Sequence, residues 1–167
     1  MSGNSKTAEQ LNTTLEKIVN ELHNADLHRW FISYGTLLGI VRSGSCIEGD
    51  DDVDLCCHAS DFYVVRDCME KAFPGTKWSR HYAKDIFCRM EPYCLGPIDI
   101  YFCSVKDGNW FDAWENCTWT DCDPLEEKQW RGTKLFLPKD PIKKLEGRYG
   151  ATWQIPQKKK GVRSPKL

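Results

Sequence analysis

The chain has 167 residues and a mass of 19.3 kDa, a length that suits one domain with its own hydrophobic core. Hydrophobic residues make up 41% and charged residues 28%, which excludes a disordered tail, a collagen-like fibre and a coiled coil. The formal net charge of −1 argues against a protein that binds nucleic acid through its overall charge, so we expect no nucleic-acid partner.

The first half of the chain alternates helical and extended patterns. An amphipathic helix is predicted over 7–28, because its apolar residues recur at helical spacing (Leu11, Leu15, Ile18, Leu22 and Ala25). Gly44 is expected to end a second helix, and Ser60 to cap a third that stops before Pro74. In chain order the predicted elements are a strand over 30–35, a helix over 36–44, a strand over 51–57 and a helix over 61–73.

The second half is predicted to supply most of the sheet. Three strands are expected over 76–83, 85–93 and 96–103, followed by a Trp-rich stretch over 110–130. A last helix should begin with Asp140 as N-cap and Pro141 in its first turn, and end at Gly150. Helices and strands alternate without a regular βαβ rhythm, so the prediction is an α+β fold in which helices flank a mixed sheet.

We expect one compact domain over residues 1–156 and a basic, disordered tail over 157–167. The tail carries five Lys or Arg residues and no acid. Contact of this tail with anionic lipid or nucleic acid is the alternative to a solvated end. The sequence shows neither a signal peptide nor an apolar run long enough to span a membrane, which predicts a cytoplasmic protein.

Nine cysteines occur at irregular spacings, with no C-x2-C pair among them. An odd number without paired spacing indicates free thiols in a reducing compartment, and it argues against a structural zinc site. We therefore expect most of these cysteines to pack as small hydrophobic residues.

The most informative stretch of the sequence is an acidic run in which five carboxylates fall within seven positions, 48–54. Alternate side chains of a strand share a face, so Asp50, Asp52 and Asp54 are predicted to point the same way. A hard divalent cation such as Mg²⁺ would offset their mutual repulsion. A solvated acidic loop is the alternative.

Two further features flank this run. Gly35 and Thr36 lie at a predicted strand-to-helix junction, where free backbone N–H groups and the positive helix end favour phosphate. Arg42 follows two turns later and is positioned to neutralise an anion. Asp99 stands in the otherwise apolar strand 97–102, where a buried carboxylate is costly unless it is paired or bound to metal. An edge-strand Asp99 that faces solvent is the other interpretation.

The stretch SYGTLLGIVRSGSCIEGDDDVDL (33–55) resembles the LicD/fukutin family, in which a YGTLLGAVR-like run precedes a run of aspartates. The segment LEGRYGATWQIP (145–156) is similar to the closing segment of that family, so the resemblance spans residues 28–156. Gly49 stands where the family motif usually has Trp, and Ser43 where it often has His. The resemblance implies a nucleotidyltransferase-like fold.

The resemblance also implies an activity. Such proteins transfer a phosphorylated alcohol, of the phosphocholine or ribitol phosphate type, from a CDP-activated donor to a hydroxyl of a glycan or another acceptor. Two alternatives stay open: a nucleotidyltransferase that places a nucleoside monophosphate on a protein, RNA or small molecule, and a non-catalytic binding subunit. Because eukaryotic relatives usually work in the secretory pathway, the Golgi or ER is the alternative location if an anchored partner recruits the chain.

The same resemblance assigns roles to residues. Asp52 and Asp54 would bind Mg²⁺ (or Mn²⁺), and Asp99 would complete the metal site or accept the proton of the attacking hydroxyl. Asp50 is the second candidate for a ligand or base. The groups implied to hold the donor phosphate are Gly35, Thr36 and Arg42.

Overall fold

The centre of the protein is a mixed β-sheet whose middle pair of strands is parallel. The computed structural model describes residues 5–81, 86–91 and 94–157. The main sheet has the strand order β1-β2-β5-β4-β3, and only the β2–β5 pair within it is parallel. These strands are β1 (Trp30–Ile32), β2 (Val53–His58), β3 (Lys77–His81), β4 (Ile86–Glu91) and β5 (Cys94–Lys106).

The far end of β5 continues into smaller antiparallel pairings. It pairs with β6, which in turn pairs with β7, and a separate hairpin is formed by β8 and β9. The Trp-rich stretch for which no elements were predicted therefore folds into strands. Their bounds are β6 (Asn109–Asp112), β7 (Cys117–Trp119), β8 (Glu126–Trp130) and β9 (Thr133–Leu137).

Helices flank the sheet, as the alternating pattern predicted: α1 (Ala8–Asn24), α2 (Tyr34–Ser43), α3 (Phe62–Ala72) and α4 (Pro141–Tyr149). The apolar face predicted for α1 is buried, apart from Ala25, which lies just past the end of the helix. Within the described residues, no helix combines the length and the apolar character that crossing a membrane requires. The α+β fold class is confirmed, as one compact domain with a mixed sheet between helices.

Some predicted boundaries are wrong in detail. The second predicted strand begins at Val53, so Asp50 and Asp52 precede it and strand alternation does not orient them. Ser60 is not the cap of α3, because Ala59–Asp61 forms a 3₁₀ turn and Asp61 is the N-cap. Asp140 is the N-cap of α4, although its side chain makes no capping hydrogen bond. Residues 82–85 and 92–93 of the predicted strands, and 158–167 of the basic tail, lie outside the described residues.

The described cysteines behave as the sequence predicted. Those with described side chains are free thiols, and all of them except Cys117 are buried. Burial raises the pKa of the Cys57 thiol well above its usual range and that of Cys122 to about 11. These residues therefore pack as neutral, small hydrophobic groups in the core.

The connection between α2 and β2 passes very close to α2 at Gly39. A β-carbon at this position would lie 2.5 Å from the carbonyl oxygen of Ser45 and 3.1 Å from the backbone nitrogen of Ile47. Backbone atoms cannot move aside as the end of a flexible side chain can. Glycine at position 39 is thus required for the loop to pack on the helix.

We expect Gly39→Ala to lower the free energy of unfolding by about 2 kcal/mol, because the added methyl forces the backbone of the loop away. Urea denaturation measures this change. Gly147→Ala is the matched control, since a β-carbon there meets no atom within 4 Å in a helix. The control should gain up to about 1 kcal/mol from helix propensity. Equal effects of the two substitutions would contradict the close packing at Gly39.

Candidate active site

The register of the parallel strands brings two aspartates side by side. Asp54 in β2 is paired with Asp99 in β5. Side chains at the same register of neighbouring strands point to the same face of the sheet, so both carboxylates emerge together. Asp54 is 6% exposed.

Asp52, immediately before β2, completes a cluster with this pair. One carboxylate oxygen each from Asp52, Asp54 and Asp99 lie within 4.8 Å of one another. Asp52 also belongs to a second group of the same size, with Asp50 and Asp51. Asp52 therefore belongs to both groups of aspartates. Asp50, Asp51 and Asp52 come from the loop before β2, and only Asp54 and Asp99 come from strands.

Asp54 is the most constrained of these carboxylates. Its Oδ2 accepts the backbone N–H of Gly35 (3.1 Å), and its Oδ1 accepts the hydroxyl of Tyr101 (3.3 Å). Burial raises the pKa of Asp54 well above its usual range, and the nearby carboxylates of Asp52 and Asp99 raise it further. The Gly35 N–H acts in the opposite direction, because it favours the charged form.

One carboxylate oxygen of Asp99 has a feature that points to a bound ligand. Its Oδ1 atom is buried and has no hydrogen-bond partner among the described residues. Burial also raises the pKa of Asp99 to about 6. An orphaned buried oxygen in a native fold needs an explanation such as an ion. Asp52, Asp54 and Asp99 together supply clustered carboxylate oxygens, the ligands that Mg²⁺ or Mn²⁺ prefers, so the residues present fit such a cation.

Gly35 and Thr36, predicted to hold phosphate, both contact Asp54. The hydroxyl oxygen of Thr36 accepts the backbone N–H of Asp54 (2.8 Å), and the Thr36 side chain is buried. A β-carbon at position 35 would lie 2.9 Å from Asp50 Oδ2 and 3.4 Å from Asp54 Oδ2. The N-terminus of α2 therefore lies against the acidic cluster, and the absence of a side chain at Gly35 makes this approach possible.

Arg42 lies apart from these residues. It is in the last turn of α2, seven residues and about 10 Å along the axis from Gly35. The side chain is half-buried and forms no ion pair with a described residue. The structure brings Gly35 and Thr36 to the acidic cluster, whereas Arg42 lies on the same helix two turns away.

Sequence reasoning missed Tyr34, the first residue of α2. Its φ of 44° is left-handed, a conformation that strains a non-glycine residue. The buried Tyr34 hydroxyl donates to Asp112 at the end of β6, and the guanidinium of Arg148 lies 4.2 Å from the centre of the Tyr34 ring. These contacts fix the turn that aims the Gly35 N–H at Asp54.

Arg148 and Tyr149, at the end of α4, complete this side of the site. Arg148 is half-buried and donates to Glu115 (3.2 Å). Tyr149 is 36% exposed; desolvation by the surrounding residues raises its pKa to about 12, and the carboxylates of Asp54 and Asp50 act in the same direction. Both residues fall in the closing segment that carried the family resemblance, but no role followed from their spacing.

Comparisons with known proteins agree with this geometry. Residues 28–140 match the family model described as LicD/FKTN/FKRP, nucleotidyltransferase domain. No curated protein sequence matches the chain. The lincomycin-bound lincosamide antibiotic adenylyltransferase LnuA is similar over 85% of this chain and 86% of its own, with 17% identity and a TM-score of 0.57. ANT(2")-Ia in complex with adenylyl-2"-tobramycin is similar over 86% and 77%, with 14% identity and a TM-score of 0.52. Such similarity shows a nucleotidyltransferase-like fold.

The metal-free protein should lose stability as the pH rises from about 4 to about 6. Burial raises the pKa of Asp99 to about 6 in the folded protein, whereas an aspartate in the unfolded chain titrates near about 4. The folded state therefore binds more protons in this interval, so the free energy of unfolding falls with rising pH. Urea denaturation in EDTA across this range measures the slope.

Asp99→Asn tests the source of that slope. The amide does not titrate, so the decline should be shallower in the variant and its stability at neutral pH should be higher. Asp107→Asn is the matched control, since Asp107 is an exposed turn residue with left-handed φ, which Asn tolerates. The control should keep the wild-type slope. If the free energy of unfolding of Asp99→Asn fell with pH as steeply as that of the wild type, the raised pKa of Asp99 would be contradicted.

Proposed function

This chain belongs to the LicD/FKTN/FKRP nucleotidyltransferase family, and from this membership we propose a metal-dependent transferase that uses a CDP-activated donor. It moves a phosphorylated alcohol, such as phosphocholine or ribitol phosphate, to a hydroxyl of a glycan. The family and the fold indicate a transferase; the donor and the acceptor are the proposed part. The observation that carries the proposal is the cluster of Asp52, Asp54 and Asp99 with its orphaned buried oxygen.

Asp52, Asp54 and Asp99 are the proposed ligands of Mg²⁺ or Mn²⁺. When bound, such an ion neutralises the spread negative charge of a diphosphate and polarises the phosphoryl group under attack. The protein contributes a preformed set of ligands. The Gly35 N–H and the Tyr101 hydroxyl hold the two oxygens of Asp54, which fixes the orientation of that carboxylate.

The transfer replaces one bond to phosphorus with another. The acceptor oxygen forms a bond to the phosphorus that bears the alcohol, and the bond between this phosphorus and the oxygen of CMP breaks. The proton of the attacking hydroxyl moves to a carboxylate, for which Asp99 is the first candidate and Asp50 the second. CMP leaves with the electron pair of the broken bond. Positioning and charge neutralisation supply most of such catalysis.

Arginine side chains and backbone N–H groups are proposed to balance the negative charge of the donor. Gly35 and Thr36 are proposed to contact the donor phosphate at the start of α2, where the positive helix end favours an anion; the phosphate would share the Gly35 N–H with Asp54, which accepts it in the structure. Arg42 is proposed to neutralise the phosphates from the far end of the same helix. Arg148 is a second candidate, because it lies over Tyr34 at the near end.

Nucleotidyl transfer is the alternative that a specific observation favours. Two of the solved proteins with a similar fold are an adenylyltransferase and a protein in complex with adenylyl-2"-tobramycin. In that chemistry a nucleoside triphosphate is the donor and the acceptor hydroxyl attacks its α-phosphorus. The same carboxylates and the same helix end would serve both reactions. The two functions are therefore distinguished by which donor the protein binds.

Thermal denaturation with Mg²⁺ and candidate donors separates the two functions. We expect CDP-choline or CDP-ribitol to raise the Tm only when Mg²⁺ is present, whereas a preference for ATP or CTP would favour nucleotidyl transfer. Asp52→Asn should abolish the metal-dependent rise, and Asp107→Asn should retain it. The same Asp52→Asn change should reduce transfer well over tenfold. A full metal-dependent rise in Asp52→Asn would contradict the assignment of the metal ligands.

Gly35→Ala tests whether the start of α2 must lie against the carboxylates. The added methyl would approach Asp50 Oδ2 to 2.9 Å, so the Asp50 side chain must move while the backbone stays. We expect a change of less than about 1 kcal/mol in the free energy of unfolding, because the group displaced is the end of a side chain. The rate of transfer and the affinity for the metal ion should each fall at least tenfold. Gly147→Ala should leave both unchanged.

A further inference from the structure

The acidic loop, defined here as residues 44–52, connects α2 to β2 and carries three of the clustered aspartates, Asp50, Asp51 and Asp52. It has no regular secondary structure of its own. The five carboxylates within residues 48–54 repel one another, and this repulsion favours an open loop when no cation is bound. Contacts from other parts of the chain must therefore hold the acidic loop in place.

Asn12 in α1 makes the most specific of these contacts. Its Oδ1 accepts the backbone N–H of Cys46 (2.9 Å), and its Nδ2 donates to the hydroxyl of Ser45 (2.9 Å). Asn12 is only 5% exposed, although it lies on the helix face that otherwise buries aliphatic residues. A buried amide in such a place is tolerated because both ends of its side chain are paired.

The segment before α1 fastens the other end of the acidic loop. The backbone N–H of Lys6 donates to the carbonyl of Asp50 (2.7 Å), and the N–H of Gly49 donates to the carbonyl of Lys6 (3.0 Å). The carboxylate of Glu48 accepts the N–H of Ala8 (2.8 Å) in the first turn of α1. Gly49 has a φ of 81°, which allows the turn that these bonds require.

The opposite side of the loop is held by different elements. The indole N–H of Trp130 in β8 donates to the carbonyl of Gly44 (2.8 Å), and α2 packs against the loop at Gly39. The acidic loop thus lies between α1 on one side and α2 with the β8–β9 hairpin on the other. Of these contacts, Asn12 supplies the one buried side chain that bonds the loop at two points.

We propose that Asn12 is a positioning residue for the metal site: it fixes the start of the acidic loop so that Asp50 and Asp52 reach Asp54 and Asp99. This inference rests on the proposed function in one respect, namely that the acidic cluster binds a divalent cation. When the loop is already ordered, cation binding does not have to supply the free energy of ordering it. Asn12 therefore raises the affinity for the cation although it does not contact the ion.

The test compares variants by two measurements on the full chain. Mn²⁺ affinity is measured from the electron paramagnetic resonance signal of the free ion, and amide hydrogen exchange is followed in the metal-free protein at Cys46, Gly49 and Asp50. Asn12→Ala removes both bonds to the loop, whereas Ser45→Ala removes one and leaves the bond to Cys46. Ile18→Val is the matched control, since it trims a fully buried residue of the same helix.

We expect Asn12→Ala to weaken Mn²⁺ binding about tenfold and to accelerate exchange at Cys46, Gly49 and Asp50 by a similar factor. Ser45→Ala should show smaller changes in the same direction, and it keeps the inference testable if Asn12→Ala does not fold. Ile18→Val should show neither change. A structural role for Asn12 alone would lower the Tm without altering Mn²⁺ affinity at a temperature where the variant is folded.

The outcomes separate this inference from the proposed function. If the wild type binds no Mn²⁺, the proposed metal site fails, and the positioning role fails with it. If the wild type binds Mn²⁺ and Asn12→Ala binds it equally well, the positioning role alone is overturned. Unchanged exchange in the acidic loop of Asn12→Ala would also overturn it, because the loop would then be held by other contacts.

Discussion

The constraint on which this structure depends is the convergence of like charges. Oxygens of Asp52, Asp54 and Asp99 lie within 4.8 Å of one another, in a place where burial already disfavours charge. Each carboxylate alone would relax toward solvent or away from its neighbours. The parallel register of β2 and β5 prevents this for two of them, and the loop contacts prevent it for the third. The fold therefore maintains an arrangement that lowers its stability and that protonation or a bound cation would relieve.

Most of the surrounding architecture can be understood as support for that arrangement. The left-handed start of α2 aims a backbone N–H at Asp54, and the strained residue there is held by Asp112 and Arg148. The α1 helix fastens the loop that delivers Asp52. These supports come from distant parts of the chain, so the acidic cluster is assembled by tertiary packing and not by local propensity. This view explains why polar residues are buried beside an otherwise aliphatic core.

The sequence carried part of this information. Apolar residues around Asp54 and Asp99 implied buried strands, and the register confirms that they are neighbours. Local spacing could not show that Asp50 and Asp52 act from a loop, because a run of aspartates has no apolar partner to reveal where β2 begins. Asn12, Tyr34 and Arg148 were missed for a related reason. Their contacts join residues 33 to 114 positions apart, and no periodic pattern encodes a pairing over such distances.

The central claim is that the acidic cluster is a divalent cation site in a nucleotide-dependent transferase. A crystal structure with Mn²⁺ and CMP, with anomalous data at the manganese edge, tests it most directly. We expect an anomalous peak within roughly 2.0–2.5 Å of oxygens from Asp52, Asp54 and Asp99, beside the N-terminus of α2. A peak at other residues, or bound CMP with no peak at these three aspartates, would contradict it.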